Sequence, residues 1–393
     1  MEASRPASSP HAASPFAALA GVTAALALFG AAQGLSYPLF TILMQRQGIS
    51  PALIGLSAAM MPLGLILSAS MVPAAVRTLG ARALAVGCAL GAAVLFLLIG
   101  WLQDWVAWFL LRFMLGFIVN PLYILGEVWA LALAPPARRG RIMGVFNAVM
   151  GLGYASGPLA LAAVGTNGWG PFVIGIVGFL GCAIVLALVA RNLSGFEDDG
   201  EKTGGFFWFA ALAPALLTAV GVAAATQQST YALMPVFAAA YGLAEAMQAA
   251  LVTALSIGNI VLQIPLGLAA ERFGGRAMVI ACAAATATCA LLLPVFILSP
   301  AVWPLLVVLG GVGYGVYTMA LVELGARFKG RALVAGNAAF ALMWGAGGIV
   351  GPPGAGFAIE ATGPLGLVGV IAGLSLALVV FALWREQRRR AGA

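Results

Sequence analysis

The stretch FVIGIVGFLGCAIVLALVA, residues 172–190, holds no charged residue and is followed at once by Arg191. Wound as a helix at ~1.5 Å per residue, it reaches about 28 Å, the depth of a bilayer's hydrocarbon layer. The rest of the chain reads the same way. Of its 393 residues 63% are apolar and 8% charged, and the mean hydropathy is +1.06. A water-soluble surface needs roughly a quarter Asp, Glu, Lys and Arg to stay hydrated, so the solvent here is lipid. The length leaves room for roughly a dozen crossings with short connections, which excludes large domains outside the membrane.

Working outward, apolar runs bounded by Gly, Pro and charge predict spans at 16–44, 51–76, 84–102, 105–133, 141–164 and 172–190, then at 206–237, 246–270, 277–298, 303–323, 331–359 and 365–384. The chain is thus expected to be an all-α membrane protein with two six-helix bundles, 16–190 and 206–385. The leading MEASRPASSPHAASP, residues 1–15, reads as a disordered cytoplasmic tail, RNLSGFEDDGEKTGG, residues 191–205, as a cytoplasmic linker, and residues 386–393 as a basic cytoplasmic tail. The apolar run after the leading tail is too long for a cleaved signal sequence and is taken as the first span.

Of the 19 Lys and Arg, Arg46 falls on the opposite side and Arg112 inside a span, leaving 17 in the tails and alternate loops. Positive residues resist translocation, so both termini are expected in the cytoplasm of a bacterial cell, with the chain in its inner membrane. The net charge of +7 then marks one membrane side, facing lipid, and implies no nucleic-acid partner. Cys88, Cys182, Cys282 and Cys289 lie inside apolar segments, which gives a disulfide framework no support. The single histidine, His11, lies in the tail, and no paired Asp or metal-ligand cluster lies within a span. An enzyme, a metal or a cofactor is therefore not expected.

The chain repeats itself at a shift of 194 residues. Gln33, Ser36, Tyr37 and Gly48 correspond to Gln227, Thr230, Tyr231 and Gly242, and Gly80 and Arg82 to Gly274 and Arg276. Further on the shift drifts to 190, where RGRIMGVFNA at Arg139 meets KGRALVAGNA at Lys329 and pairs Asn147 with Asn337. Amides, hydroxyls and phenols are expensive facing lipid. Gln33, Ser36 and Tyr37, with Gln227, Gln228, Thr230 and Tyr231, are therefore expected to face a polar interior between the halves. Asn120, Asn147 and Asn337 are candidates for the same reason, and Tyr123, Trp129, Tyr314 and Trp344 for the same path, although aromatic residues in spans also serve packing.

GLAAERFGGR, residues 267–276, resembles the loop signature of the major facilitator superfamily. The equivalent place in the first half reads PAAVRTLGAR, residues 73–82, with Arg77 where Glu271 stands. RFMLG, residues 112–116, resembles the arginine-plus-glycine element in the fourth helix of proton-coupled antiporters of that superfamily, and GYASGP, residues 153–158, an element of its drug-efflux members. A close-packed seam between the halves, shared with GAGGIVGPPGAG at 345–356, explains the latter glycines equally well. The stretches GEVWALALAPPARRGRIMG at 126–144 and YTMALVELGARFKGRALVAGNAAFALMWGAGGIVGPP at 317–353 look like its YcaD-like bacterial branch.

The resemblance implies a secondary transporter working by alternating access, acting as a monomer on a small-molecule substrate, with protons as the coupling ion to consider. Glu271 and Arg272 would lock cytoplasmic helix ends, Glu127 would supply Arg77 with a partner, and Glu323 would pair with Arg272 or Arg331. Arg112 stands about 10 Å inside the hydrocarbon layer, seven residues beyond Trp105, where a guanidinium costs on the order of 3 kcal/mol without a partner or cavity. No Asp or Glu lies at that depth. Gln33, Tyr37, backbone carbonyls or an anionic ligand are its expected partners, so a small organic anion is the leading substrate. A multidrug or metabolite efflux antiporter is the alternative, and a non-transporting sensor or assembly factor a lesser one.

Overall fold

The computed structural model describes residues 15–135, 138–190, 193 and 206–391, with no strand among them. The first half comprises α1 (Pro15–Arg46), α2 (Pro51–Ala69), α3 (Val72–Leu79), α4 (Ala81–Leu102), α5 (Trp105–Leu133), α6 (Arg139–Val164) and α7 (Gly170–Val189). The second comprises α8 (Phe206–Leu212), α9 (Pro214–Ala240), α10 (Glu245–Val261), α11 (Gln263–Phe273), α12 (Gly275–Phe296), α13 (Val302–Arg327), α14 (Arg331–Thr362) and α15 (Leu365–Ala391). Ten helices are long and apolar enough to cross a bilayer, and two bent pairs bring the crossings to 12. The expected tail 1–15 and linker 191–205 lie outside the described residues, apart from Pro15 and Leu193.

Two boundaries differ from the sequence reading by more than four residues. The seventh crossing begins at Pro214, because the chain turns by 108° between α8 and α9. Pro214 has no N–H to continue a helix from α8, and the 27 residues of α9 span the layer alone at ~1.5 Å each. At the other end α15 continues past Trp384 to Ala391. The remaining crossings alternate direction, so turns at Gly48, Gln103, Gly165, Gly242 and Gly363 share one end of the bundle, here the far end. Turns at Gly80, Gly274 and Gly330 share the other, the basic end.

The duplication is built into the backbone. The second crossing of each half is broken, α2 from α3 and α10 from α11, and each ends on a glycine of nearly the same conformation: Gly80 at φ 80°, ψ 145° and Gly274 at φ 85°, ψ 145°. Only glycine takes those angles without strain.

Lipid tails give helices no hydrophobic reason to associate, so close approach at small residues must hold them. A Cβ on Gly116 would stand 2.1 Å from the Met61 carbonyl oxygen, and one on Gly64 2.2 Å from that of Phe113, which locks α2 on α5. The second half repeats this with Gly310 against Leu255 at 2.0 Å and Gly258 against Val307 at 1.9 Å. Gly153 and Gly157 of α6 press on Ala27 and Ala31 of α1, and Gly347 and Gly351 of α14 on Gly221 and Ala225 of α9.

Gly345 and Gly356 of the 345–356 stretch meet Ile66 and Pro51 across the halves, whereas the paired glycines above pack inside each half. They also keep the 194-residue register, so Asn147 and Asn337, paired at a shift of 190, sit about one helical turn apart in depth. The halves themselves meet along α2 with α14, α6 with α10, and α1 with α9. There the close approach is Gly55 to Pro352, 2.2 Å from a built Cβ to the carbonyl oxygen, and Gly356 to Pro51, 2.3 Å.

Candidate functional site

The chain has seven tyrosines, and six of them converge on the inner faces of the two halves. Tyr37 on α1 lies within electrostatic reach of Tyr123 on α5, Tyr154 on α6 and Tyr231 on α9, and Tyr231 of Tyr314 on α13. The Tyr123 and Tyr154 hydroxyls share a hydrogen bond of 2.7 Å. Trp344 on α14 closes the second half's side, its ring centroid 4.9 Å from Tyr317 and 5.8 Å from Tyr314, both edge-on.

Each helix reaches this region because its other faces are committed. On α1, Gly30 and Gly34 lie against α6, which puts the intervening Gln33 and the following Tyr37 at the junction of α1, α5 and α6. Gln33 is 0% exposed, and neither amide atom has a hydrogen bond of normal geometry, although Tyr123 lies beside it. The Ser36 hydroxyl donates to the Gln33 carbonyl, 2.7 Å, and is absorbed by its own helix.

The repeat partners are placed less alike than the sequence suggests. Gln227 and Gln228 are half-buried, and the Gln228 amide donates to the Trp344 carbonyl, 3.3 Å. Tyr231 stands beside Ser256 and Asn259 of α10. Thr318 donates to Gln263, 2.7 Å, which in turn donates to the Gly311 carbonyl, 3.2 Å. Tyr154, Asn259, Gln263 and Thr318 were not singled out from sequence. The cue was available: each is a hydrogen-bonding side chain inside a crossing.

Arg112 is 2% exposed. One Nη donates to the Ser57 hydroxyl on α2, 3.2 Å, and the guanidinium lies 4.9 Å from the centre of the Phe40 ring. Its Nε has no hydrogen-bond partner, and its charge acts on Tyr37. Ser57 and Phe40 thus take the place expected for Gln33 or backbone carbonyls. Asn120 donates to the Leu65 carbonyl, 3.0 Å, and ties α5 to α2. Asn147 and Asn337 are exposed.

At the far end Arg46 of α1 and Glu245 of α10 form an ion pair across the halves, and Thr166 bonds to both. Deeper in, the Thr41 hydroxyl donates to the Ala232 carbonyl, 2.7 Å, joining α1 to α9 in a buried position. At the basic end Arg77, Glu127, Glu271, Arg272 and Arg331 are exposed. Glu323 is flanked within its own half by Arg276 at 3.9 Å and Arg327 at 3.8 Å, in place of the expected Arg272. Glu127 lies in electrostatic reach of Tyr314 and Tyr317 of the opposite half.

Two polar faces thus meet between the halves, joined at the far end by the Arg46–Glu245 and Thr41–Ala232 contacts, and every described acid lies near a helix end. Among the described residues no cluster of His, Cys, Asp and Glu is positioned to hold a metal.

The family model described as Major Facilitator Superfamily matches residues 22–243 and again 216–393. The uncharacterized MFS-type transporter YfkF of Bacillus subtilis (strain 168) is 26% identical over 343 residues, 85% of this chain and 87% of that protein. The uncharacterized MFS-type transporter YcaD of Escherichia coli O45:K1 is 26% identical over 269 residues, 67% of each. Among solved structures, the nucleoside transporter NupG superposes with a TM-score of 0.73 at 14% identity, over 93% of this chain and 97% of that one. A D-xylose-proton symporter gives 0.70 at 15% identity, over 95% and 97%. At such identities the structural likeness speaks for the fold.

Proposed function

The chain belongs to the Major Facilitator Superfamily, and we propose from that premise that this integral membrane secondary transporter moves a small polar organic solute, anionic in character, between its two halves by alternating access. One observation carries the reading. Tyr37 and Tyr154 of one half lie in electrostatic reach of Tyr231 of the other, with Gln33, Tyr123, Gln228 and Asn259 around them, in a seam that the Arg46–Glu245 pair and the close α2–α14 packing hold at the far end. Support for an anion comes from Arg112. A buried guanidinium costs on the order of 3 kcal/mol, and one hydroxyl and one ring leave its Nε unanswered.

In this reading both termini are cytoplasmic, the membrane is the bacterial inner membrane, and the chain works as a monomer. Arg46 and Glu245 close the far side. Arg77, Glu127, Glu271, Arg272, Glu323 and Arg331 rearrange to close the basic side, with Asn147 and Asn337 lining the entrance. Protons are the first coupling ion to test. With every described acid near a helix end, they would act through Glu127, Glu323 or the substrate itself.

A second reading, efflux of amphipathic compounds, is favoured by the aromatic wall of Tyr314, Tyr317 and Trp344. Thermal stabilisation of the purified protein separates the two, since a ligand that binds the folded state raises its stability. Small organic carboxylates are expected to raise the melting temperature and neutral sugars or lipophilic cations to leave it unchanged. Stabilisation by lipophilic cations alone would replace the first reading with the second.

A further inference from the structure

Where the chain turns by 108° at Ala213, α8 swings off the axis of α9, and at the basic end of the second half a groove opens among α9, α12, α13, α15 and Leu212 at the end of α8. Its floor is apolar, with Leu216, Val279, Leu378 and Phe381. It continues onto the outer face of α15, where Phe381, Trp384, Arg385 and Arg388 line a further volume of about 380 Å³.

The charges in the groove fall into two sets. Arg276 and Arg327 flank Glu323, and Glu386 is engaged in a contact of its own. Arg385 and Arg388 differ. Among the described residues neither has a carboxylate within ion-pair distance, and each lies over a ring of its own helix, Arg385 5.9 Å from the Phe381 centroid and Arg388 4.1 Å from that of Trp384. A cation–π contact neutralises no charge and leaves the guanidinium donors open to an oxyanion.

The surroundings say what brings that oxyanion. Trp384 is 46% exposed, and on α8 Trp208 is 50% and Phe207 87% exposed. Aromatic side chains at the end of a crossing mark headgroup depth. An apolar floor below and two uncompensated arginines above match a molecule with acyl chains and an anionic phosphate.

We propose that this groove is a binding site for an anionic phospholipid, with the phosphate on Arg385 and Arg388 and an acyl chain along Phe381 and Leu378. The lipid would brace α15 against α12 and α13 while the halves move.

The test uses the full-length protein in detergent, titrated with phosphatidylglycerol or phosphatidylcholine, with bound lipid counted by native mass spectrometry. Phosphatidylglycerol is expected to bind preferentially. The double variant R385Q/R388Q should weaken that binding roughly thirtyfold, at ~1 kcal/mol per basic residue near the surface. R385K/R388K should keep most of it, and K329Q, which removes a charge at the same end outside the groove, should change nothing. Equal binding of the two lipids, an unaffected double variant, or an equal loss in K329Q would each overturn the site. So would displacement of phosphatidylglycerol by millimolar inorganic phosphate, which would make the arginines a soluble-anion site.

Discussion

Arg46 ends α1 and Glu245 begins α10, and the two join the halves at the far end through paired contacts, Nε to Oε1 and Nη2 to Oε2, with the Thr166 hydroxyl bridging both side chains. The side chains keep 35% and 33% of their surface in contact with solvent. Water therefore screens the pair, and it is worth ~1 kcal/mol at most. That value suits a latch that must open in every cycle.

Glu245→Gln is accordingly expected to shift the balance toward far-end opening by about fivefold without unfolding the protein. Spin labels at Gln47 and Met247, on exposed far-end positions of opposite halves, would report it as a second, longer distance. The charge exchange R46E/E245R should restore the original distance distribution. An unchanged distribution in Glu245→Gln would show that the helix contacts alone close the far end.

The latch was half visible in the sequence. Arg46 is the single base on its side, and Glu245 sits where the repeat has Pro51, so neither charge is explained by duplication. What could not be read was that the start of α10 lies beside the end of α1. The crossings and their shared register were legible because apolar runs and basic loops report directly on solvent. The turn at Ala213 was not, since FFWFAAL is as apolar as a membrane core while it lies off the α9 axis. The neighbours of Arg112 were hidden too: Ser57 becomes its partner through the glycine contacts that set α2 against α5, Phe40 comes from α1, and spacing along one helix carries no such information.

Glycines of equal tightness should behave differently according to which helices they join. Gly116→Ala meets the Met61 carbonyl inside one half and is expected to destabilise the fold by about 1–3 kcal/mol, seen as a lower melting temperature. Gly55→Ala meets the Pro352 carbonyl across the halves. It should leave the melting temperature nearly unchanged while lengthening the Gln47 to Met247 distance. Equal thermal losses in both variants would mean that the α2–α14 contact is permanent.

Removing a charge that lacks an ionic partner should not harm the fold. Arg112→Ala is expected to remain monodisperse on size-exclusion chromatography, with a melting temperature equal to or above that of the parent, because the cost of burying the guanidinium disappears. Transport in proteoliposomes should fall below a tenth of the parent rate. Arg112→Lys keeps the charge but loses the planar contact with Phe40, and should fall between. Normal transport by Arg112→Ala would remove the anion reading.

Gln33 offers the sharpest separation of fold from function. Its amide is fully enclosed, and both polar atoms lack hydrogen bonds of normal geometry, a state that costs about 1–3 kcal/mol. Gln33→Leu removes that cost with a side chain of similar size, so the folded protein should become more stable. If the amide is held there for a solute, the same variant should lose affinity by two- to tenfold, the worth of one hydrogen bond. Gln227→Leu is the control from the other half: Gln227 is half-buried, so its loss should lower affinity with little thermal gain. The opposite signs in Gln33→Leu, a higher melting temperature with weaker ligand stabilisation, are what a packing role alone does not produce. A variant that is more stable and binds and transports as the parent does would assign Gln33 to the scaffold and leave the tyrosines to carry recognition.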